Sequence, residues 1–94
     1  MKSIDLFKQN LAPLLTDYKI DYRSYSEGDF GALKQVIIES EKIGGGIDFW
    51  SKGWLGLELY DYSKDNQLIN VLLSPEQRKE EDNYWQKFEE FLKR

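Results

Sequence analysis

The chain contains no histidine and no cysteine. Without imidazole it lacks the commonest general base and metal ligand, and with them every Ser-His and Cys-His arrangement for nucleophilic catalysis. Without thiols, disulfides, thiolate metal sites and thiol nucleophiles are excluded together. No apolar run reaches the length of a signal-peptide core or a membrane span, and the opening MKSIDLFKQN already carries Asp5 and Lys8 among its apolar residues. No linker, internal repeat or low-complexity segment divides the 94 residues. Positive charge is also short: 13 Lys and Arg stand against 17 Asp and Glu, a net charge of -4. Such a chain has no long-range field with which to displace the counterions of a phosphate backbone, so nucleic acid is disfavoured as a partner and a basic protein is favoured. These absences predict one non-enzymatic domain over residues 1–94, cytoplasmic, away from membranes, with no cofactor and no metal.

What the chain does have is 40% hydrophobic and 15% aromatic residues, the composition of a folded protein. At this length roughly 60–70% of the unfolded surface is buried on folding, enough for one core. Ser3 can cap a helix in which Ile4, Phe7, Leu11 and Leu14 form one apolar stripe, and Pro13 predicts a stop or kink near Asn10 to Ala12. Tyr18, Ile20 and Tyr22 alternate with charges, a weak strand signal or an extended connection. SEGDFG then reads as a loop. In ALKQVIIES helical spacing competes with the β-branched run Val36, Ile37, Ile38; the glycines that follow, Gly44 to Gly46, favour a strand entering a turn.

IDFWSKGWLGLELYDY is the clearest hairpin. A two-residue loop would mix its faces, whereas a three-residue loop, Ser51 to Gly53, sets Trp50 opposite Trp54 and Phe49 opposite Leu55, with Gly53 at the left-handed position. QLINVLL is apolar enough to predict a strand covered on both faces, central or backed by a second helix. Ser74, Pro75 and Gln77 spell a capping box, and the helix they start has its apolar residues, Tyr84, Trp85, Phe88, Phe91 and Leu92, in its second half. The expected architecture is α+β: an N-terminal helix, an antiparallel sheet of about four strands and a C-terminal helix.

The hairpin's outer face gathers Asp48, Trp50, Trp54, Glu58 and Tyr60, with Asp61 at its end. Asp48 and Glu58 are the best pair for glycoside chemistry, but an exposed strand face gives little of the burial that raises a general acid's pKa. Asp61, Ser63 and Asp65 have the spacing that opens a calcium loop; Asn66 and Leu72 then occupy its glycine and glutamate positions, leaving an ordinary polar turn. A purely structural account of the tryptophans is a cross-strand pair covered by a helix. The functional account makes Trp50, Trp54 and Tyr60 anchors of a protein interface, with Asp48, Glu58 and Asp61 as a rim for Arg and Lys. Gly56 would leave a gap between them for a partner's side chain.

GGGIDFWSKGWLGLELYDY, together with NVLLSPEQ, resembles a pattern in small acidic bacterial immunity-type proteins of toxin loci. The resemblance covers about Gly44 to Gln77 and implies a cytoplasmic, non-enzymatic role with a toxin domain as partner. Two rivals use the same aromatic face: a structural or regulatory protein that self-associates as a homodimer through the sheet, and a small-ligand or carbohydrate binder that stacks rings on the tryptophans.

Overall fold

The computed structural model describes residues 3–93, Glu27 by its backbone alone. Five antiparallel strands form one sheet in simple chain order: β1 (Lys19–Gly28), β2 (Gly31–Glu39), β3 (Ile43–Trp50), β4 (Leu55–Asp61) and β5 (Asn66–Leu73). The α+β architecture agrees with the expectation from sequence, with one strand more than expected. The additional strand is the weak one: β1 runs through the charged alternation and on into SEGDFG, because Ile20 and Tyr22 align with Ile38 and Val36 on one face.

The register sorts every strand into two faces. One carries Tyr22, Val36, Ile47, Leu57 and Val71 in a row across the sheet, and the residues two positions away on each strand lie on the same side. Both terminal segments cover this face. Phe7, Leu11 and Leu15 from the N-terminus and Trp85, Phe88 and Leu92 from the C-terminus close over Val36, Ile38, Ile47, Leu55, Leu57, Leu59 and Leu73, all buried. Burial of each such side chain stabilises the fold by about 1.5–3 kcal/mol.

The N-terminal segment begins as expected, with Ser3 Oγ accepting from Leu6 N–H at 3.2 Å. Its one regular turn, α1 (Ile4–Leu6), then widens into a π turn over Phe7–Leu11 and tightens into a 3-10 turn over Ala12–Leu14. The expected stripe therefore drifts. Phe7, Leu11 and Leu15 follow at steps of four, and Leu14 is left 61% exposed, because the wider turn advances the buried line by an extra residue. Regular α-helix thus ends earlier than Pro13 alone requires.

At the other end the Ser74–Gln77 capping box forms, opening a 3-10 turn (Pro75–Glu80) that leads into α2 (Glu81–Leu92). The polar first part of this segment packs through two residues, Arg78 and Glu81, while those around them stay exposed. Glu81 is buried, accepting from Trp85 Nε1 at 3.0 Å and Arg78 Nη2 at 3.2 Å, while Arg78 Nη1 reaches the Gly53 carbonyl at 3.1 Å. Two donors on its carboxylate make the burial of Glu81 tolerable, although Arg78 Nε is itself buried without a hydrogen-bond partner.

Two further expectations are corrected. The glycine run does not make a turn; Gly44, Gly45 and Gly46 lie inside β3, and the turn before them is built by Ser40, whose Oγ accepts from Lys42 and Ile43 N–H. QLINVLL is neither central nor doubly covered. It forms the edge strand β5, with Leu72 47% exposed, since Leu57 and Leu59 pair with Val71 and Ile69 on the helix-covered side and Asn70 and Leu72 alternate to the other. The three-residue loop at Ser51 to Gly53 is present: Phe49 pairs with Leu55, Trp50 N–H donates to the Trp54 carbonyl at 3.1 Å, and Gly53 has φ +95°.

Candidate functional site

The face turned away from the helices is assembled by the same alternation. One row across it reads Asp21, Ile37, Gly46, Glu58, Asn70; the next reads Arg23, Gln35, Asp48, Gly56, Leu72. Trp50 follows on β3 opposite Leu33, and Tyr60 lies on β4 opposite Gly44. The register thus unites Asp48, Trp50, Glu58 and Tyr60 on one surface, as the hairpin pattern predicts.

Glycine shapes that surface. On β3 the open-face positions from Gly44 to Asp48 carry no side chain until Asp48, and a depression of about 240 Å³ opens there, lined by Gln35, Ile37, Gly45, Gly46, Asp48 and Glu58. A Cβ on Gly46 would run into the Val36 carbonyl, and one on Gly44 into the Tyr62 hydroxyl, which crosses it to donate to both Glu39 carboxylate oxygens at 3.0 Å. The pairing with Glu39 is the leading cause of the raised pKa of Tyr62. Asp48 Oδ1 accepts from Gln35 Nε2 at 2.7 Å, which turns its carboxylate toward β2, while Glu58 is exposed.

The electrostatics of the face are lopsided. Open-face positions of β2 to β5 supply Glu39, Asp48 and Glu58 and no Lys or Arg; Lys19 and Arg23 stand on β1. Among the described residues the one ion pair is Arg78 with Glu81, on the helix side. The open-face carboxylates therefore meet no cation of their own chain within ion-pair distance.

The aromatic residues are arranged differently from a direct cross-strand tryptophan pair. Phe30 joins them: its ring stacks on Trp54 at 4.2 Å and 14°, and meets Trp50 edge-on at 5.6 Å and 87°. Phe30 is brought there by docking of two turns, in which Ser51 N–H donates to the Ala32 carbonyl, Lys52 N–H to the Phe30 carbonyl, and Ala32 N–H to Ser51 Oγ. Gly31, at φ +92°, permits this, since a Cβ there would strike the Ser51 side chain. Trp50 and Trp54 are both half-buried. Trp50 also lies against Gly56, where an added Cβ would come within 3.4 Å of its ring and 3.3 Å of Asp48. The gap expected at Gly56 is accordingly filled from within the chain; the open space is at Gly46.

Asp61 stands apart from the face. Its Oδ1 accepts from Ser63 Oγ at 2.7 Å and from the Ser63 and Lys64 N–H groups at 3.0 and 3.1 Å, bonds that hold its carboxyl below the usual range, the Ser63 hydroxyl first among them. It builds the β4–β5 turn, where Asp65 has φ +50° and pairs with the Tyr60 hydroxyl. That bond is the leading cause of the raised pKa of Tyr60. Among the described residues no group of three or more acidic side chains converges as a metal site, and no helix is long and apolar enough to cross a membrane.

Sequence reasoning missed Gln35, Ile37, Gly46, Phe30 and Glu39 as parts of this surface. The alternation of β2 contains the signal for Gln35, Ile37 and Glu39 once its partner is known to be β3; Phe30, placed by long-range turn docking, leaves none. No family model, curated protein or solved structure matches this chain.

Proposed function

We propose that the chain is a protein-binding module of the immunity type, which takes a basic toxin domain onto the open face of its sheet and blocks it. The observation that carries this reading is the open face itself: among the described residues its carboxylates have no cation of their own chain within ion-pair distance, and they stand around a depression floored by glycine backbone. Lys or Arg side chains of the partner pair with Asp48 and Glu58, and the floor at Gly46 admits the end of one of them. Trp50 and Tyr60, half-buried on the same face beyond the residues that line the depression, supply apolar contact while already held by Phe30 and Asp65, so little side-chain entropy is lost on binding. Against a nuclease with a basic cleft, the carboxylates would stand where phosphates stand in its substrate. Trp54, stacked on Phe30, buttresses the surface from the hairpin end.

The test is co-expression with the product of the adjacent gene, followed by calorimetric titration of the purified pair. Wild type is expected to relieve toxicity and bind, and Asp48→Lys/Glu58→Lys, folded by circular dichroism, to lose at least about a hundredfold in affinity, as for charge pairs at desolvated interfaces. Binding unchanged by the double reversal would move the interface off this face; absence of toxicity and of binding would remove the immunity reading.

A further inference from the structure

A five-stranded sheet in simple chain order ends in two edge strands, and each edge presents a row of backbone N–H and C=O groups with no strand beside it. The two edges differ. β1 carries Lys19, Asp21 and Arg23, and its register slips between Tyr25 and Gly28, both of which discourage a second sheet from adding there. β5 has neither charge, proline nor glycine, and Asn66 to Pro75 is the longest stretch of the chain without Lys, Arg, Asp or Glu. Asn70 and Leu72 are exposed, and Ile69 and Val71 are only half-buried although they belong to the helix-covered layer. The β4–β5 bulge lies between Leu59 and Tyr60, toward the start of β5, and leaves Ile69 to Leu73 in regular register.

We propose that β5 is a self-association edge, at which a second copy of this chain adds antiparallel to give one continuous ten-stranded sheet. The sequence of β5 is self-complementary for that arrangement. With the two-fold axis at Asn70, each Asn70 faces its own copy on the open side, and Ile69 of each chain faces Val71 of the other on the helix side, so four β-branched side chains extend the buried layer across the joint. No charge of either copy falls in the pairing, which matters for a chain of net charge -4. The axis of such an antiparallel joint is perpendicular to the sheet, so both open faces point the same way and form one doubled surface. The other edge, β1, is guarded, so association closes at two copies. The inference does not depend on the identity of any partner for the open face.

Sedimentation equilibrium from low micromolar to submillimolar concentration tests it on the full chain. Wild type is expected to pass from monomer to dimer mass. Asn70→Lys places like charges opposite each other at the axis and should raise the dissociation constant by about tenfold or more, with an unchanged circular dichroism spectrum because the position is exposed. Asp21→Lys, on the guarded edge, should leave the constant unchanged. β5 amide exchange should slow as concentration rises. Wild type monomeric throughout, association past the dimer, Asn70→Lys dimerising as tightly as wild type, or a dimer dissolved by Trp50→Ala but not by Asn70→Lys would each overturn the proposal.

Discussion

On the helix-covered side β4 presents Leu55, Leu57 and Leu59, all buried; on the open side the same strand presents Gly56, Glu58 and Tyr60. β3 repeats the contrast, with Ile47 fully buried on one side and Gly44 and Gly46 facing the other. Stability is concentrated in one layer, where side chains from five strands and two terminal segments fill the space between them. The opposite layer carries glycine at central strand positions, where β-branched residues would be worth up to about 1 kcal/mol each in propensity. A sheet selected for stability alone would not be built this way. The open face gives up strand propensity for shape, and among the described residues its carboxylates take hydrogen bonds from Gln35 and Tyr62 but enter no ion pair, which is what a surface needs if its complement comes from another molecule.

The sharpest way to break the comparison is to remove a side chain from the filled layer. Phe88 is fully buried, edge-on to Trp85 at 5.7 Å, and Phe88→Ala should lower unfolding stability in urea by about 3–5 kcal/mol through lost transfer energy and a residual cavity. A cost near zero would mean that the helix layer is not what holds the sheet. The next largest effect comes from adding matter to the empty layer. In Gly46→Ala the new methyl meets the Val36 carbonyl, a backbone atom that cannot swing aside, and the expected loss is about 1–3 kcal/mol. Gly56→Ala meets only side-chain atoms at 3.3–3.4 Å and should cost clearly less. Equal costs at the two glycines would show that the depression owes nothing to the close approach of β2 and β3.

Much of this layering is legible in the sequence, for a local reason. Alternation over Ile47 to Tyr62 determines which side chains share a face, and the loop length at Ser51 to Gly53 determines how the two strands align, so residue spacing by itself groups Asp48, Trp50, Glu58 and Tyr60. What is illegible depends on partners distant in sequence. An apolar strand such as β5 reads alike whether it is central or at an edge, because composition reports apolar area and not what lies beside it. Three consecutive glycines mark a turn in most contexts; here they lie in a strand, where Tyr62, the β4 backbone and the β2 backbone occupy the space that side chains on Gly44, Gly45 and Gly46 would need. Leu14 and Leu15 exchange roles through a widened helical turn that no residue spacing announces. Asp61 groups with the face by proximity in sequence, but its hydrogen bonds to Ser63 and Lys64 assign it to the turn.

The smallest expected effect separates the two layers by pH. Tyr18 and Tyr62 both have phenol pKa values above the ordinary one, for different reasons: Tyr18 mainly because it is partly buried at the rim of the covered layer, with Asp17 adding to the effect, and Tyr62 mainly because it donates to Glu39 on the open face. A phenol whose pKa is raised by folding keeps its proton in the native state after the unfolded chain has lost it. Its contribution to stability is therefore complete below the unfolded value near pH 10 and is lost as pH rises toward the folded one. Stability measured by urea unfolding should fall across that window. Tyr18→Phe should flatten the fall while lowering the neutral-pH baseline by about 0.5–1.5 kcal/mol, since the bond from its hydroxyl to the Leu92 carbonyl at 2.8 Å is lost. Tyr62→Phe should change the alkaline slope less, because water screens an interaction between two exposed groups. The reverse ranking would mean that the Tyr62–Glu39 strap across Gly44 holds the open face more firmly than the rim contact holds the covered one, and stability would then be divided between the two layers.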